Sequence, residues 1–298
     1  MAVYKRTYTR YTGQLTDERW RFTVLPRFAF QTIFASKFTG LLFTVSFLPH
    51  LVALVLIYLR SHLDVLTALG IQGAQQALGI INVDGSFFLG LFVIETFVSF
   101  FLVSLVGPGL VTPDLNNNAM HLYLSRPFSR TEYVMGKLSV LVGMLSLTMW
   151  IPGLLLIGVQ TSLVGFSWLS DHFRVIPGVF LGSLLWIFTI SLMALAISAW
   201  VKWKPVAVAS LFGIFFVAGG FGAVANVLLD MRWGIMLQIS QVMIMVWRWL
   251  FLGESTYYLI GTNYTMPAWW GLLSIGGFCS LSLYLLNRKI RATQVVRG

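Results

Sequence analysis

Residue types that can perform chemistry are few in this sequence and lie far apart. Glu95 stands inside a long apolar stretch, and an ionised carboxylate is costly to bury in hydrocarbon, so it must be protonated, hydrogen-bonded or facing water. Two interpretations follow. Glu95 contacts a substrate or cation, which makes it a substrate-pathway candidate, or it is a structural group satisfied by hydroxyls such as those of Thr96 and Ser99.

Other catalytic constellations are absent from the sequence. The four histidines are scattered without metal-ligand spacing, and Cys279 has no cysteine to pair with. No GxSxG or HExxH pattern occurs, and Gly136-Lys137-Leu138 lacks the leading glycine and the Ser/Thr of a phosphate-binding loop. We therefore expect no enzyme activity, no metal site and no cofactor in this chain.

The composition is that of an integral membrane protein. The 298 residues are 57% hydrophobic and 10% charged, with a mean hydropathy of +0.82, outside the range of soluble globular domains. No repeat or linker divides the chain, which predicts one transmembrane domain over residues 1–298. The formal charge of +10 is dispersed along the chain, so we expect a lipid bilayer as partner and no nucleic acid.

Six apolar stretches, free of charged residues apart from Glu95 in the second, are long enough to cross the hydrocarbon core as helices. They are Phe38–Leu59, Phe87–Val111, Leu138–Gln160, Ile176–Trp200, Val206–Leu229 and Ala268–Leu286. With both termini in the cytoplasm, sixteen of the 20 Lys and Arg residues fall inside, and four fall outside: Arg60, Arg174, Arg232 and Arg248. The positive-inside rule therefore predicts cytoplasmic termini.

Two further segments have helical patterns. Residues 1–37 form a basic cytoplasmic arm. The spacing of Phe30, Ile33, Phe34 and Leu41 predicts an amphipathic helix that runs from this arm into the first span, and the basic residues around it are also compatible with an anchor for anionic lipid. Within the external loop 230–267, the uncharged stretch Trp233–Trp247 has only 15 residues. We interpret it as an interfacial or re-entrant helix, with a distorted extra span as the alternative. Its proposed interfacial anchors are Trp233, Trp247 and Trp249.

Proline and glycine punctuate the spans. Pro49-His50 and Pro152-Gly153 predict kinks in the first and third spans. The small residues of Ala218–Ala223 permit close backbone approach. Three interpretations of this segment are open: a dimer interface, a contact inside the subunit or a flexible outer gate.

The cytoplasmic segment 112–137, between the second and third spans, has local signals for a helix, a break and a second helix. Thr112-Pro113 predicts an N-cap and first helical residue, ahead of a short helix over Leu115–Ser125. Arg126-Pro127 ends that helix because proline disfavours helical geometry at the residue before it. Ser129 and Glu132 then form a capping box that starts the third span.

Here the chain resembles the membrane subunits of ABC exporters of the type 2 permease class. In that class, the segment that joins the second and third spans ends with leucine, a hydroxyl residue, Arg or Pro, Ser-Arg, and Gly-Lys before the third span. The matching residues are Leu122, Leu124, Ser125, Arg126, Pro127, Ser129, Arg130, Gly136 and Lys137. The chain departs from the class at Asp114–Asn118, where the class often has a glutamate-rich stretch leading to Gly-Thr.

The resemblance implies a fold and a mode of action. It implies a half-transporter in the bacterial cytoplasmic (inner) membrane, paired with itself or a related subunit and with two copies of a cytoplasmic ABC ATPase, which binds ATP and Mg²⁺. The short helix would be the coupling helix that docks in the ATPase. Its contact residues would be Leu115, Asn118, Ala119, His121, Leu122, Tyr123, Leu124, Ser125, Arg126 and Pro127. The alternative is a membrane anchor or assembly protein with a structured cytoplasmic loop.

Overall fold

The computed structural model describes residues 23–63, 70, 78–117, 129–229, 232–258 and 265–295. Within these ranges six helices are long and apolar enough to cross a membrane. This confirms an all-helical membrane protein with six candidate spans. We number them spans 1 to 6: Lys37–Ser61, Gly85–Asn116, Arg130–Val164, Val175–Trp200, Lys204–Leu228 and Trp269–Ile290.

Three of the spans are broken into two helices each. The helices are Lys37–Val45 and Leu48–Ser61 in span 1, Gly85–Val106 and Pro108–Asn116 in span 2, and Arg130–Thr148 and Trp150–Val164 in span 3. Pro49, Pro108 and Pro152 lie in the first turn of the second helix, where a missing N–H costs nothing and the fixed φ suits the helix. The predicted kinks at Pro49 and Pro152 are confirmed, and the break at Pro108 is an additional one.

The remaining spans differ in regularity. Span 4 is one uninterrupted helix, Val175–Trp200. Span 5 comprises Lys204–Phe212, a π-helical turn at Gly213–Val217, and Ala218–Leu228. The last helix continues beyond the apolar part of span 6 and covers Trp269–Val295.

Shorter elements connect the spans. An arm helix, Val24–Ala35, precedes span 1, and Phe166–Asp171 lies between spans 3 and 4. A 3₁₀ helix at Arg232–Leu237 leads to a short apolar helix at Ile239–Leu252. Strands β1 (Thr256–Tyr258) and β2 (Thr265–Pro267) then pair antiparallel, with Thr256 opposite Pro267. This ribbon is an addition to the predicted all-helical fold.

Span 4 lies at the centre of the bundle. Two thirds of its most apolar window is buried (67%), against 22% for spans 1, 5 and 6. Small side chains on span 4 let its neighbours approach closely, as is usual for helices in lipid. The buried Trp186 ring of span 4 also donates from Nε1 to Ser99 Oγ of span 2 at 2.8 Å.

The short apolar helix packs its rings against two glycines of span 4. A Cβ on Gly178 would meet the Phe251 ring at 2.6–2.9 Å, and one on Gly182 would meet Trp247 at 2.9 Å. Trp247 Nε1 donates to the Gly182 carbonyl at 3.0 Å, and the residue is 1% exposed. The prediction of Trp247 as an interfacial anchor is therefore wrong, because the gap left by the glycines admits its ring and supplies an acceptor.

The helix predicted over Trp233–Trp247 also begins later than expected. Its first part is the 3₁₀ helix, whose Gly234 packs against Gly222 of span 5. Of the three interpretations of Ala218–Ala223, a contact inside the subunit is therefore present at Gly222. Gly219 and Gly220 have no described atom within 4 Å of an added Cβ, so this face of span 5 is open.

The arm helix packs against the Arg130–Thr148 helix of span 3. Phe30 and Ile33 lie against the core, and the Phe30 ring is 3.5 Å from the position of a Cβ on Gly143. Phe34 and Leu41 were predicted on the same face, but they are exposed. The break at Ser36, which has extended backbone, separates Leu41 from the arm helix and ends the helical register there.

Candidate functional site

The predicted coupling segment leaves span 2 through the Pro108–Asn116 helix and enters span 3 after Ser129. Residues 118–128 lie outside the described residues. The contact roles assigned to Asn118, Ala119, His121, Leu122, Tyr123, Leu124, Ser125, Arg126 and Pro127 therefore stay predictions. Both flanks of the segment are described, and they define how it is held.

Thr112 is inside a helix and does not cap one. The Pro108–Asn116 helix begins four residues before Thr112 and has Pro113 in its interior. Leu115 belongs to the same helix, so the predicted start of the short helix at Leu115 is also wrong. The cause is Pro108, which starts a helix earlier than the Thr112-Pro113 pair would.

A hydroxyl group of span 4 is inserted into the backbone hydrogen bonds of this helix. The Thr112 N–H donates to Ser198 Oγ at 3.0 Å, and Ser198 Oγ donates to the Pro108 carbonyl at 3.1 Å. In a regular helix the Thr112 N–H would bond that carbonyl directly. The Ser198 hydroxyl group thus bridges two backbone groups that would otherwise bond each other directly. Such an insertion into the backbone hydrogen bonds is a recognised cause of a bend in a helix.

Two more bonds join the same elements. Thr112 Oγ1 donates to the Ser198 carbonyl at 2.9 Å, and the side-chain amide of Asn116 donates to the Lys202 carbonyl just after span 4. Thr112 and Ser198 are both buried, where unpaired polar groups are expensive. The first flank of the segment is therefore fixed to the end of span 4.

The two flanks are also joined to each other. Lys137 Nζ lies 2.7 Å from Asp114 Oδ2, and the Tyr133 hydroxyl donates to the same oxygen at 2.9 Å. The Lys137 side chain is only 10% exposed and the Asp114 side chain 16%, so solvent screens this ion pair less than one at the surface. The contacts of Asp114 with Tyr133 and Lys137 thus join the two ends of the chain segment 115–132, which we call the 115–132 loop.

The predicted capping box at the start of span 3 is confirmed. Ser129 Oγ accepts from the Glu132 N–H at 3.1 Å, and Glu132 Oε2 accepts from the Ser129 N–H at 2.5 Å. These bonds satisfy two backbone donors at the end of a helix. The second flank therefore has a fixed starting point one residue after the undescribed range.

A second polar site lies deep among spans 1, 2 and 3. His50 Nδ1 is 3.4 Å from Glu95 Oε2, with the two side chains 4% and 0% exposed. The Glu95 carboxyl group has no hydrogen-bond partner among the described residues. The helix containing His50 packs against the second helix of span 3, which begins just after Met149. The helix breaks before Pro49 and Pro152 thus lie close to the buried pair of His50 and Glu95.

Thr96 and Ser99 do not satisfy Glu95. Thr96 Oγ1 donates to the Phe92 carbonyl at 2.8 Å, and Ser99 Oγ donates to the Thr96 carbonyl at 3.1 Å. The carboxylate instead faces His50, a partner that spacing along the chain does not indicate. Contact with a substrate or cation stays a prediction, and Glu95 is enclosed in this conformation.

The described histidines are not brought together. His62 and His172 contact the carbonyls of Tyr58 and Trp168 in their own helices. The described part of the chain contains no group of three His, Cys, Asp or Glu residues able to hold a metal ion. His121 lies outside the described residues.

Sequence reasoning missed one residue, Ser198, and one pairing, that of Asp114 with Lys137. Ser198 is one of several serines on span 4, and no local signal distinguishes it. The Asp114–Lys137 pair was detectable in principle, because each is a lone charge at the edge of an apolar stretch and such charges seek partners.

Comparison with known proteins adds no assignment to this geometry. No protein-family model matches the chain, and no curated protein matches it.

Proposed function

We propose that this chain is the membrane subunit of an ATP-driven exporter of the ABC type 2 permease class. It acts in the bacterial cytoplasmic membrane with both termini inside. Its partners are two copies of a cytoplasmic ABC ATPase and a second permease subunit, identical or related. ATP and Mg²⁺ bind to the ATPase, and this chain supplies the pathway and the element that receives the motion.

The observation that carries the proposal is the attachment of both ends of the 115–132 loop to the membrane-spanning helices. One flank is fixed to span 4 through Ser198, and the flanks are joined by Asp114 and Lys137. A loop that only connects two spans needs no such attachment, since exposed loops tolerate mobility. A loop that transmits force to the spans needs rigid, contiguous contacts.

These contacts define a route for the motion. ATP-driven closure of the ATPase subunits pushes on residues 115–127, and the Thr112–Ser198 bonds pass the displacement to span 4. Span 4 contacts span 2, span 3, span 6 and the short apolar helix. A displacement of span 4 therefore reaches most of the bundle.

The remaining elements fit the same arrangement. The arm helix is the cytoplasmic amphipathic helix, which lies against span 3 beside the loop flanks. The short apolar helix enters the bundle from the external side as a re-entrant helix, supported by its buried Trp247 and Phe251.

Substitution in the loop tests the proposal. Tyr123→Ala or Arg126→Ala should uncouple ATP hydrolysis from transport while insertion and expression stay normal, because the docking contacts are lost and the spans are untouched. Tyr258→Ala, an exposed residue of β1, is the matched control. Fully coupled transport in both loop variants would contradict docking at this segment.

A membrane anchor or assembly protein is the second candidate. It also accounts for a structured loop, but it requires no ATPase. Purification of the chain from its native membrane separates the two candidates. Co-purification of an ATPase with a phosphate-binding loop supports the exporter, and its reproducible absence supports the anchor.

A further inference from the structure

A cavity of about 420 Å³ lies beneath the arm helix. Its walls come from the arm helix, the last turns of span 2 and the charged ends of spans 3 and 5. Charged groups at the cavity are Asp114, Lys137 and Lys204. Apolar side chains such as Phe28, Leu105 and Leu110 form the rest of the wall.

The charges at the cavity do not cancel. Lys137 is paired with Asp114 at 2.7 Å, and Asp114 also accepts from Tyr133. Lys204 forms no ion pair with a described residue, and its Nζ lies over Gly109, 3.6 Å from the position of a Cβ there. Among the described residues, the charge of Lys204, which is exposed, therefore has no anionic partner at the cavity.

The cavity also has an apolar side that a free anion would not need. Phe28 of the arm helix is 63% exposed, and Leu105 and Leu110 of span 2 border the same space. Of the other two aromatic residues of the arm helix, Phe30 lies against the core and Phe34 is exposed, as expected of a helix lying at a bilayer surface. A ligand with an anionic head and hydrocarbon chains matches both sides.

We infer that this cavity binds an anionic phospholipid, with the phosphate group at Lys204 and the acyl chains along Phe28 and Leu105. The ammonium group of Lys204 supplies the charge-assisted contact to the phosphate. Gly109 keeps the space beside that ammonium group free of a side chain. The lipid would also stabilise the position of the arm helix against span 3. This inference does not depend on the proposed transport function.

Titration of lipid into the delipidated, detergent-purified full chain tests the inference, with native mass spectrometry as the readout. The probes are phosphatidylglycerol, phosphatidylcholine and inorganic phosphate. The wild type should bind phosphatidylglycerol more tightly than phosphatidylcholine. Lys204→Gln should weaken phosphatidylglycerol binding about fivefold, the effect of one basic residue near an anionic lipid, and Lys204→Arg should retain it.

Lys202→Gln is the matched control, because this lysine is exposed like Lys204 and carries the same charge two residues away, but it does not line the cavity. Its phosphatidylglycerol affinity should equal that of the wild type. Equal losses in Lys202→Gln and Lys204→Gln would overturn the site, since they would indicate only a general surface charge. Binding of inorganic phosphate as tight as that of phosphatidylglycerol would overturn the lipid assignment.

Discussion

Two buried serines of span 4, Ser198 and Ser191, differ in the hydrogen bonds that their hydroxyl groups make. Ser198 Oγ accepts from Thr112 and donates to Pro108, whereas Ser191 Oγ has no partner among the described residues. Both are fully buried on the same helix. Removing the Ser198 hydroxyl group leaves the Thr112 N–H and the Pro108 carbonyl without this hydrogen-bond partner. Removing the Ser191 hydroxyl group takes no partner from a described residue.

Ser198→Ala should lower the free energy of unfolding by about 1–3 kcal/mol, the cost of buried polar groups that lose their partner. Ser191→Ala should leave it unchanged or raise it slightly. Unfolding in SDS titrations, monitored by tryptophan fluorescence, measures both. Equal stability of the two variants would show that the inserted hydroxyl does not hold the loop flank to span 4.

The buried pair His50 and Glu95 calls for a double-mutant cycle. Losing one partner leaves the other as an unpaired polar group in the apolar interior, so His50→Leu and Glu95→Leu should each lower the free energy of unfolding by about 1–3 kcal/mol. The double substitution should cost far less than the sum, because an apolar pair leaves nothing unpaired. Additive losses, measured by the same SDS titration, would show that the 3.4 Å contact contributes no coupling.

At the scale of elements, the short apolar helix depends on the absence of two side chains. Gly178 and Gly182 are four residues apart on span 4, and Phe251 and Trp247 are four apart on the short helix. This matched spacing brings the two rings over the two glycines, since residues four apart share a helix face. The two rings therefore pack directly on the backbone of span 4.

Gly178→Ala should lower the free energy of unfolding by about 1–3 kcal/mol, because its Cβ would overlap the Phe251 ring. Gly158→Ala in span 3 is the control, since nothing lies within 4 Å of its Cβ, and it should be neutral or mildly stabilising. Thermal unfolding in detergent compares them. A Gly178→Ala variant as stable as the control would indicate that the short helix is not seated as described.

Local signals predicted elements well and long-range contacts poorly. The length of the apolar stretches located all six spans, and the proline pairs located the breaks at Pro49 and Pro152. The Ser129–Glu132 box is confirmed because both partners lie within one turn. Ser198 meets Thr112 across 86 positions and His50 meets Glu95 across 45. Such pairings are decided by tertiary packing, which no local pattern encodes.

At the scale of the whole molecule, burial is unequal among the spans. Spans 1, 5 and 6 leave most of their apolar surface open, while spans 2, 3 and 4 form the buried centre. The open faces of spans 1 and 5 include Leu51, Val55, Phe221 and Val224. In the proposed complex, lipid and the second permease subunit cover these faces, and the buried centre receives the motion of the loop.

The central claim is that an ABC ATPase docks on the loop between spans 2 and 3, and site-directed crosslinking tests it most directly. Tyr123→Cys in a Cys279→Ser background should crosslink to an ATPase subunit in native membranes. Ile80→Cys, an exposed position before span 2, should not. A Tyr123→Cys variant that forms no ATPase crosslink, or one no stronger than Ile80→Cys, would contradict the account.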